Sequence, residues 1–120
     1  MTPGTTPVRL VAEFTARPGD EEEVERLLLA LAEAVRQEPG CLDFTPHRVA
    51  PAPRLDGEAL VGAGVGLAPV GRRFVVTEAY RDAAAFAEHL AAPYGVPFNA
   101  ALGPLIEEDG SQLTFLEVRA

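Results

Sequence analysis

Two histidines, His47 and His89, are the side chains of this sequence best suited to move a proton near neutral pH. His89 belongs to the run Ala85-Phe86-Ala87-Glu88-His89-Leu90, in which Phe86 and Leu90 mark a buried side. An imidazole there can act as a general base or as a hydrogen-bond partner for a bound molecule, or it can simply anchor a helix to a sheet. His47 alternates with Thr45 and Asp43, so the three share one side of an extended segment and could face the same cavity; a surface histidine at a strand end is the alternative. With no HxH or HxxxH spacing, the pair carries no metal motif.

Glu78 and Tyr80 share a face of a Phe- and Val-rich segment. A carboxylate in mid-strand needs a partner such as Arg9, Arg48 or Arg73, unless it serves as an acid or base in a pocket. Tyr80 offers a ring face for stacking and a hydroxyl for orientation, while Tyr94 and Phe98 would either roof a cavity or pack in the core. Cys41 is the only cysteine, which excludes an intrachain disulfide and any CxxC motif and reads as a small buried hydrophobe. The run Gly62-Ala63-Gly64-Val65-Gly66 is no dinucleotide loop, because Pro69 and Gly71 stand where the phosphate-binding helix should begin.

Composition narrows the classes further. A formal net charge of −8 opposes nucleic-acid binding, which needs clustered cations. All the basic side chains are Arg, so no lysine Schiff base or lysine general base is available. No apolar run reaches the roughly 20 residues of a membrane span, and residues 1–7 read as a lead-in without the features of a secretory signal, so a cytoplasmic protein is expected.

The elements that must hold these residues follow from periodicity. Residues 8–16 alternate as a strand, with Val8, Leu10, Ala12 and Phe14 on one face. After Pro18-Gly19, Asp20 and Glu23 have the spacing of a capping box, and Val24, Leu27, Leu28, Leu31 and Val35 recur at helical spacing until Pro39 and Gly40 end the helix. Residues 41–50 form a second strand, placed at an edge or bulge by Pro46. Residues 51–71 are an inserted flap or arm that could lid the pocket or fill it; 73–80 is the clearest strand. Asp82 caps a short helix over 83–90, 94–102 makes a further turn or helix, and 112–118 is the last strand.

The order β-α-β-β-α-β, read over a single domain of residues 8–120, predicts an α+β ferredoxin-like sandwich with both helices on one face of the sheet. The opposite face also carries apolar residues, with Val11, Val49, Val76 and Tyr80 assigned to it, so a homodimer that pairs two sheets is expected.

The sequence resembles the antibiotic biosynthesis monooxygenase-like domains of the dimeric α+β barrel superfamily. The resemblance is carried by Val11-Ala12-Glu13-Phe14, Pro18-Gly19, Glu38-Pro39-Gly40-Cys41-Leu42, His47-Arg48, residues 74–82, residues 85–90 and Phe98-Asn99. It implies a dimeric barrel with one pocket per subunit, and a monooxygenase or quinol-type oxidase that uses neither metal nor flavin on a small aromatic or polyketide-like substrate. The resemblance makes His89 the first choice for proton transfer, with His47 and Glu78 as further catalytic candidates and Tyr80, Tyr94, Phe98 and Thr45 as substrate contacts. A non-catalytic dimeric ligand-binding module and a cyclase or isomerase on the same scaffold are the rival readings. The sequence departs from the family pattern in having no Trp, no Lys, a single Asn late in the chain and the long insertion.

Overall fold

A computed structural model describes residues 6–120; the expected lead-in at 1–7 lies almost wholly outside them. The elements run β1 (Val8–Thr15), α1 (Glu21–Val35), β2 (Cys41–Arg48), β3 (Arg54–Leu55), β4 (Glu58–Ala59), β5 (Arg73–Tyr80), α2 (Ala83–Leu90), α3 (Gly95–Leu102), a 3-10 turn (Gly103–Leu105) and β6 (Gln112–Leu116).

Four strands make one antiparallel sheet in the order β2-β5-β1-β6. Since β5 lies between β1 and β2, and β1 lies between β5 and β6, each β-α-β half leaves a gap that the other half fills, which is the ferredoxin-like arrangement. Pro46 falls on the edge strand β2, where its missing N–H costs no ladder bond, and a register irregularity sits between Cys41 and Asp43.

Helix α1 buries Val24, Leu28, Ala32 and Val35 against Ala12, Phe14, Phe74 and Val76, and Leu102 and Ile106 complete that core. Each fully buried large side chain of this kind contributes about 1.5–3 kcal/mol. The acidic first turn of α1 is present, but the expected capping box is not: Asp20 makes no side-chain cap, and Glu23 pairs with Arg26 instead. Helix α2 does take its cap as expected, with the Asp82 carboxylate accepting from Ala85 N at 2.8 Å.

Strand parity corrects the picture of the outer face. Val76 and Tyr80 lie under the helices, Val76 in the main core and Tyr80 packed with Leu10 and Ala85. They alternate with Val75, Thr77 and Ala79, which point the other way beside Val11, Thr45 and His47. The outer face is therefore mixed, and large exposed apolar groups are found on the edge strand β6 and just beyond it, at Leu113, Phe115, Leu116 and Val118.

In the insertion, β3 and β4 pair only with each other. Their turn is Asp56-Gly57, both at positive φ (51° and 81°), the two-residue hairpin that an Asp-Gly pair favours. Among the described residues no helix is long and apolar enough to cross a membrane.

Candidate active site

The site is set where α1 hands the chain to β2. Pro39 prevents the helix from continuing, and Gly40 brings the backbone hard against α2: a Cβ at Gly40 would stand 2.3 Å from that of Ala85. Arg81 N donates to Gly40 O at 2.8 Å and holds the junction shut. Ala85 and His89 are one helical turn apart on the same face of α2. The contact that needs a glycine at position 40 thus places His89 over Glu38.

His89 Nδ1 lies 3.1 Å from Glu38 Oε2, and the Tyr94 hydroxyl donates to the same oxygen. With Glu38 as a carboxylate, Nδ1 must be the donor, which leaves Nε2 with its lone pair free. Nε2 stands 3.9 Å from Glu78 Oε1, too far for a hydrogen bond, and Glu78 Oε1 accepts from the Tyr80 hydroxyl at 2.7 Å. The order across the site is Tyr80, Glu78, His89, Glu38, Tyr94. Glu38 Oε1 is buried and has no hydrogen-bond partner among the described residues.

Glu78 is only 8% exposed, because β5 is flanked by β1 and β2 and the carboxylate sits beside Leu10 and Phe44 in register. Burial raises its pKa above the ordinary carboxylate value; the Tyr80 hydrogen bond and the nearby His89 oppose that only in part. The Tyr80 and Tyr94 phenols are pushed up, first by desolvation and then by their glutamates, so both remain hydrogen-bond donors. The Cys41 thiol is also raised, chiefly by burial, which makes it a poor nucleophile.

Beside this chain of polar groups is a cavity of about 440 Å³ between the inner face of the sheet, the three helices and the loop before β6. Its aromatic wall is Phe14, Phe44, Phe86, Tyr94 and Phe98, and its aliphatic wall includes Leu28, Leu31 and Leu102. Glu78, His89, Asn99, Asp109 and Ser111 supply the polar part. The His89 ring lies 4.8 Å from that of Tyr80 and 6.1 Å from that of Phe86 between centroids, so its orientation is fixed by packing as well as by Glu38.

Of the residues singled out from the sequence, the structure brings His89, Glu78, Tyr94 and Phe98 to this cavity. Tyr80 stands behind Glu78, wholly buried, and is not part of the wall. His47 and Thr45 do not join them, which corrects the expectation that they could face the cavity. They alternate with Phe44, which points inward, so both point outward; His47 Nδ1 lies 3.1 Å from Val75 O, and the Thr45 hydroxyl donates to Asp43. No residue of the 51–71 insertion lines the cavity, so the insertion neither lids nor fills it. Among the described residues no group of three His, Cys, Asp or Glu is placed to hold a metal ion.

Glu38 is the member that the sequence reading passed over as a site residue. The signal was its place just before Pro39-Gly40, at a helix end that must turn toward another element.

The family pattern described as antibiotic biosynthesis monooxygenase matches residues 7–61, which span β1, α1, β2 and the β3–β4 hairpin. Over that stretch, a little under half of its length, the chain is similar to an antibiotic biosynthesis monooxygenase domain. Solved structures extend the likeness over nearly the whole chain. PA3566 from Pseudomonas aeruginosa is 26% identical with a TM-score of 0.71, covering 98% of each chain. Rv0793 from Mycobacterium tuberculosis is 24% identical with a TM-score of 0.74, covering 96% of this chain and 97% of its own. SnoaB from Streptomyces nogalater, a cofactor-independent oxygenase, shares the fold at 23% identity with a TM-score of 0.68, covering 95% of this chain and 94% of its own. No curated protein matches the chain.

Proposed function

We propose that this domain is a cofactor-independent monooxygenase or quinol-type oxidase acting on a small aromatic or polyketide-like substrate. The observation that carries the reading is one imidazole, bonded to Glu38 at one nitrogen and facing Glu78 at the other, at the edge of a cavity with an aromatic wall. Such a wall can stack against a flat ring, and the free Nε2 of His89 can accept a phenolic or benzylic proton. The resulting electron-rich anion passes electrons to O₂ itself. In the monooxygenase case a CH₂ group becomes C=O, with one oxygen atom retained and the other leaving as water; in the oxidase case a quinol becomes a quinone and O₂ becomes H₂O₂. Glu38 holds the imidazole in the productive tautomer and stabilises its protonated form, while Glu78 sits at the second nitrogen.

Oxygen-electrode measurements with anthrone and hydroquinone panels test the reading. Uptake that depends on His89 is the expected result. Ligand binding without uptake would replace the oxidase by a binding module, and product formation without oxygen by a cyclase or isomerase.

The same reading makes the working unit a homodimer. Its support is edge strand β6, which is unpaired on its outer side and exposes Leu113 and Phe115 on one face and Leu116 on the other, an edge that unpartnered proteins usually protect. Sedimentation should give a dimer that Leu116→Arg dissociates; a native chain that stays monomeric at high concentration would remove the dimer.

A further inference from the structure

We propose that the cavity selects aromatic ligands that carry a hydrogen-bond donor and no negative charge, and turns away those bearing a carboxylate or phosphate. This deepens the reading above and rests on it for the role of the cavity as the substrate site.

The basis is the direction in which the hydrogen bonds of the site run. Tyr94 O–H and, with Glu38 ionised, His89 Nδ1–H both donate to Glu38 Oε2, and Tyr80 O–H donates to Glu78 Oε1. The three strongest neutral donors of the site are thus already taken by glutamates. Between Glu38 and Tyr80, acceptors remain: His89 Nε2 and the second oxygen of Glu78, to which no donor among the described residues is directed. A ligand O–H or N–H complements both.

Charge points the same way. Glu78 and Asp109 line the cavity, Glu38 stands directly behind His89, and no arginine belongs to the wall. Arg36 is bound to Phe44 O, Arg48 to Gly71 O and the α1 glutamates, and Arg73 to Thr15 and Glu13. The chain has no lysine that could take their place. The donors left in the wall, the Asn99 amide and the Ser111 hydroxyl, are neutral and leave an anion's charge uncompensated. Moving an unpaired anion into such a site is unfavourable, and two like charges there make it more so.

Calorimetric titration with ligands of matched size tests this. Hydroquinone, 4-aminophenol and 4-hydroxybenzyl alcohol are compared at neutral pH with 4-hydroxybenzoate and phenyl phosphate. The first group should bind about tenfold or more tightly than the second. Glu78→Gln should narrow that gap by improving 4-hydroxybenzoate binding, and Asp109→Asn, at an exposed position that leaves the fold intact, should narrow it to a smaller degree. Equal or tighter binding of the anions overturns the proposal, as does the failure of every compound to bind. Oxygen uptake on the same samples separates the two readings. Selective binding without uptake keeps the selectivity and removes the oxidase, whereas uptake that is as fast with a carboxylate-bearing quinol keeps the oxidase and removes the selectivity.

Discussion

The two faces of the central sheet are made from the same strands, yet they have opposite characters. Inward, Phe14, Phe44, Phe74 and Val76 share the face with one carboxylate, Glu78, whose neighbours are His89 and Tyr80. Outward, Thr45, His47, Val75 and Thr77 form a mixed, partly exposed surface whose side-chain hydrogen bonds run to Asp43 and to the Val75 carbonyl. The lesson is that residue type alone does not define a site here. One histidine lies on the exposed face away from the cavity; the other is packed against Tyr80 and Phe86 and bonded to Glu38 at the cavity wall.

Paired substitutions across this divide test it. His89→Ala should lower oxygen turnover about a hundredfold or more on an accepted substrate, the scale of a lost general base, whereas His47→Ala should stay within about twofold. Equal losses would show that the outer face takes part. Gly40→Ala forces a methyl into Ala85 and should cost about 1–3 kcal/mol in denaturant unfolding. Gly62→Ala, in the insertion with open space around it, should change stability by less than about 0.5 kcal/mol.

A third pair concerns pH and stability. Glu78 has a raised pKa, so the folded state binds its proton more tightly than the unfolded chain does. Its contribution is fully present below the ordinary carboxylate value and is lost as pH rises through the raised one. Glu108 is the reverse. Desolvation pushes it up, but hydrogen bonds from Thr15 N at 2.7 Å and Thr15 Oγ1 at 2.8 Å outweigh that and bring it below the ordinary value. Its contribution is present above the ordinary carboxylate value and is lost as pH falls through the lowered one. Thermal unfolding followed from acid to neutral pH should therefore show Glu78→Gln gaining on the native protein as pH rises and Glu108→Gln losing ground. Curves that shift in the same direction would contradict both assignments.

Much of this was written in the sequence. Alternation located β1, β2 and β5, helical spacing located α1, and Asp82 marked the start of α2. Parity also contained more than was taken from it: Phe44 belongs with the core, which already turns Thr45 and His47 outward, and Val76 shares its face with Phe74, Glu78 and Tyr80. The Asp56-Gly57 pair announced a hairpin inside a segment otherwise read as one long arm. The role of Glu38 was less accessible, because it depends on Gly40 meeting Ala85, a contact between positions far apart in the chain that no local pattern encodes. Asp20 failed as a cap although its spacing was right: its backbone (φ −102°, ψ 5°) is not the extended one that Asp82 adopts, and Glu23 turns to Arg26.

The hairpin in the insertion divides the chain at a telling place. Before it come β1 and β2, which do not touch each other; after it come β5 and β6, which do not touch either. A protease cut at Arg54 would yield two pieces, neither of which owns a single pair of neighbouring sheet strands. Their interleaving makes each the template for the other, so the severed halves should regain the domain when mixed and not before, as a split protein whose reassembly also rebuilds the contact between Glu38 and His89.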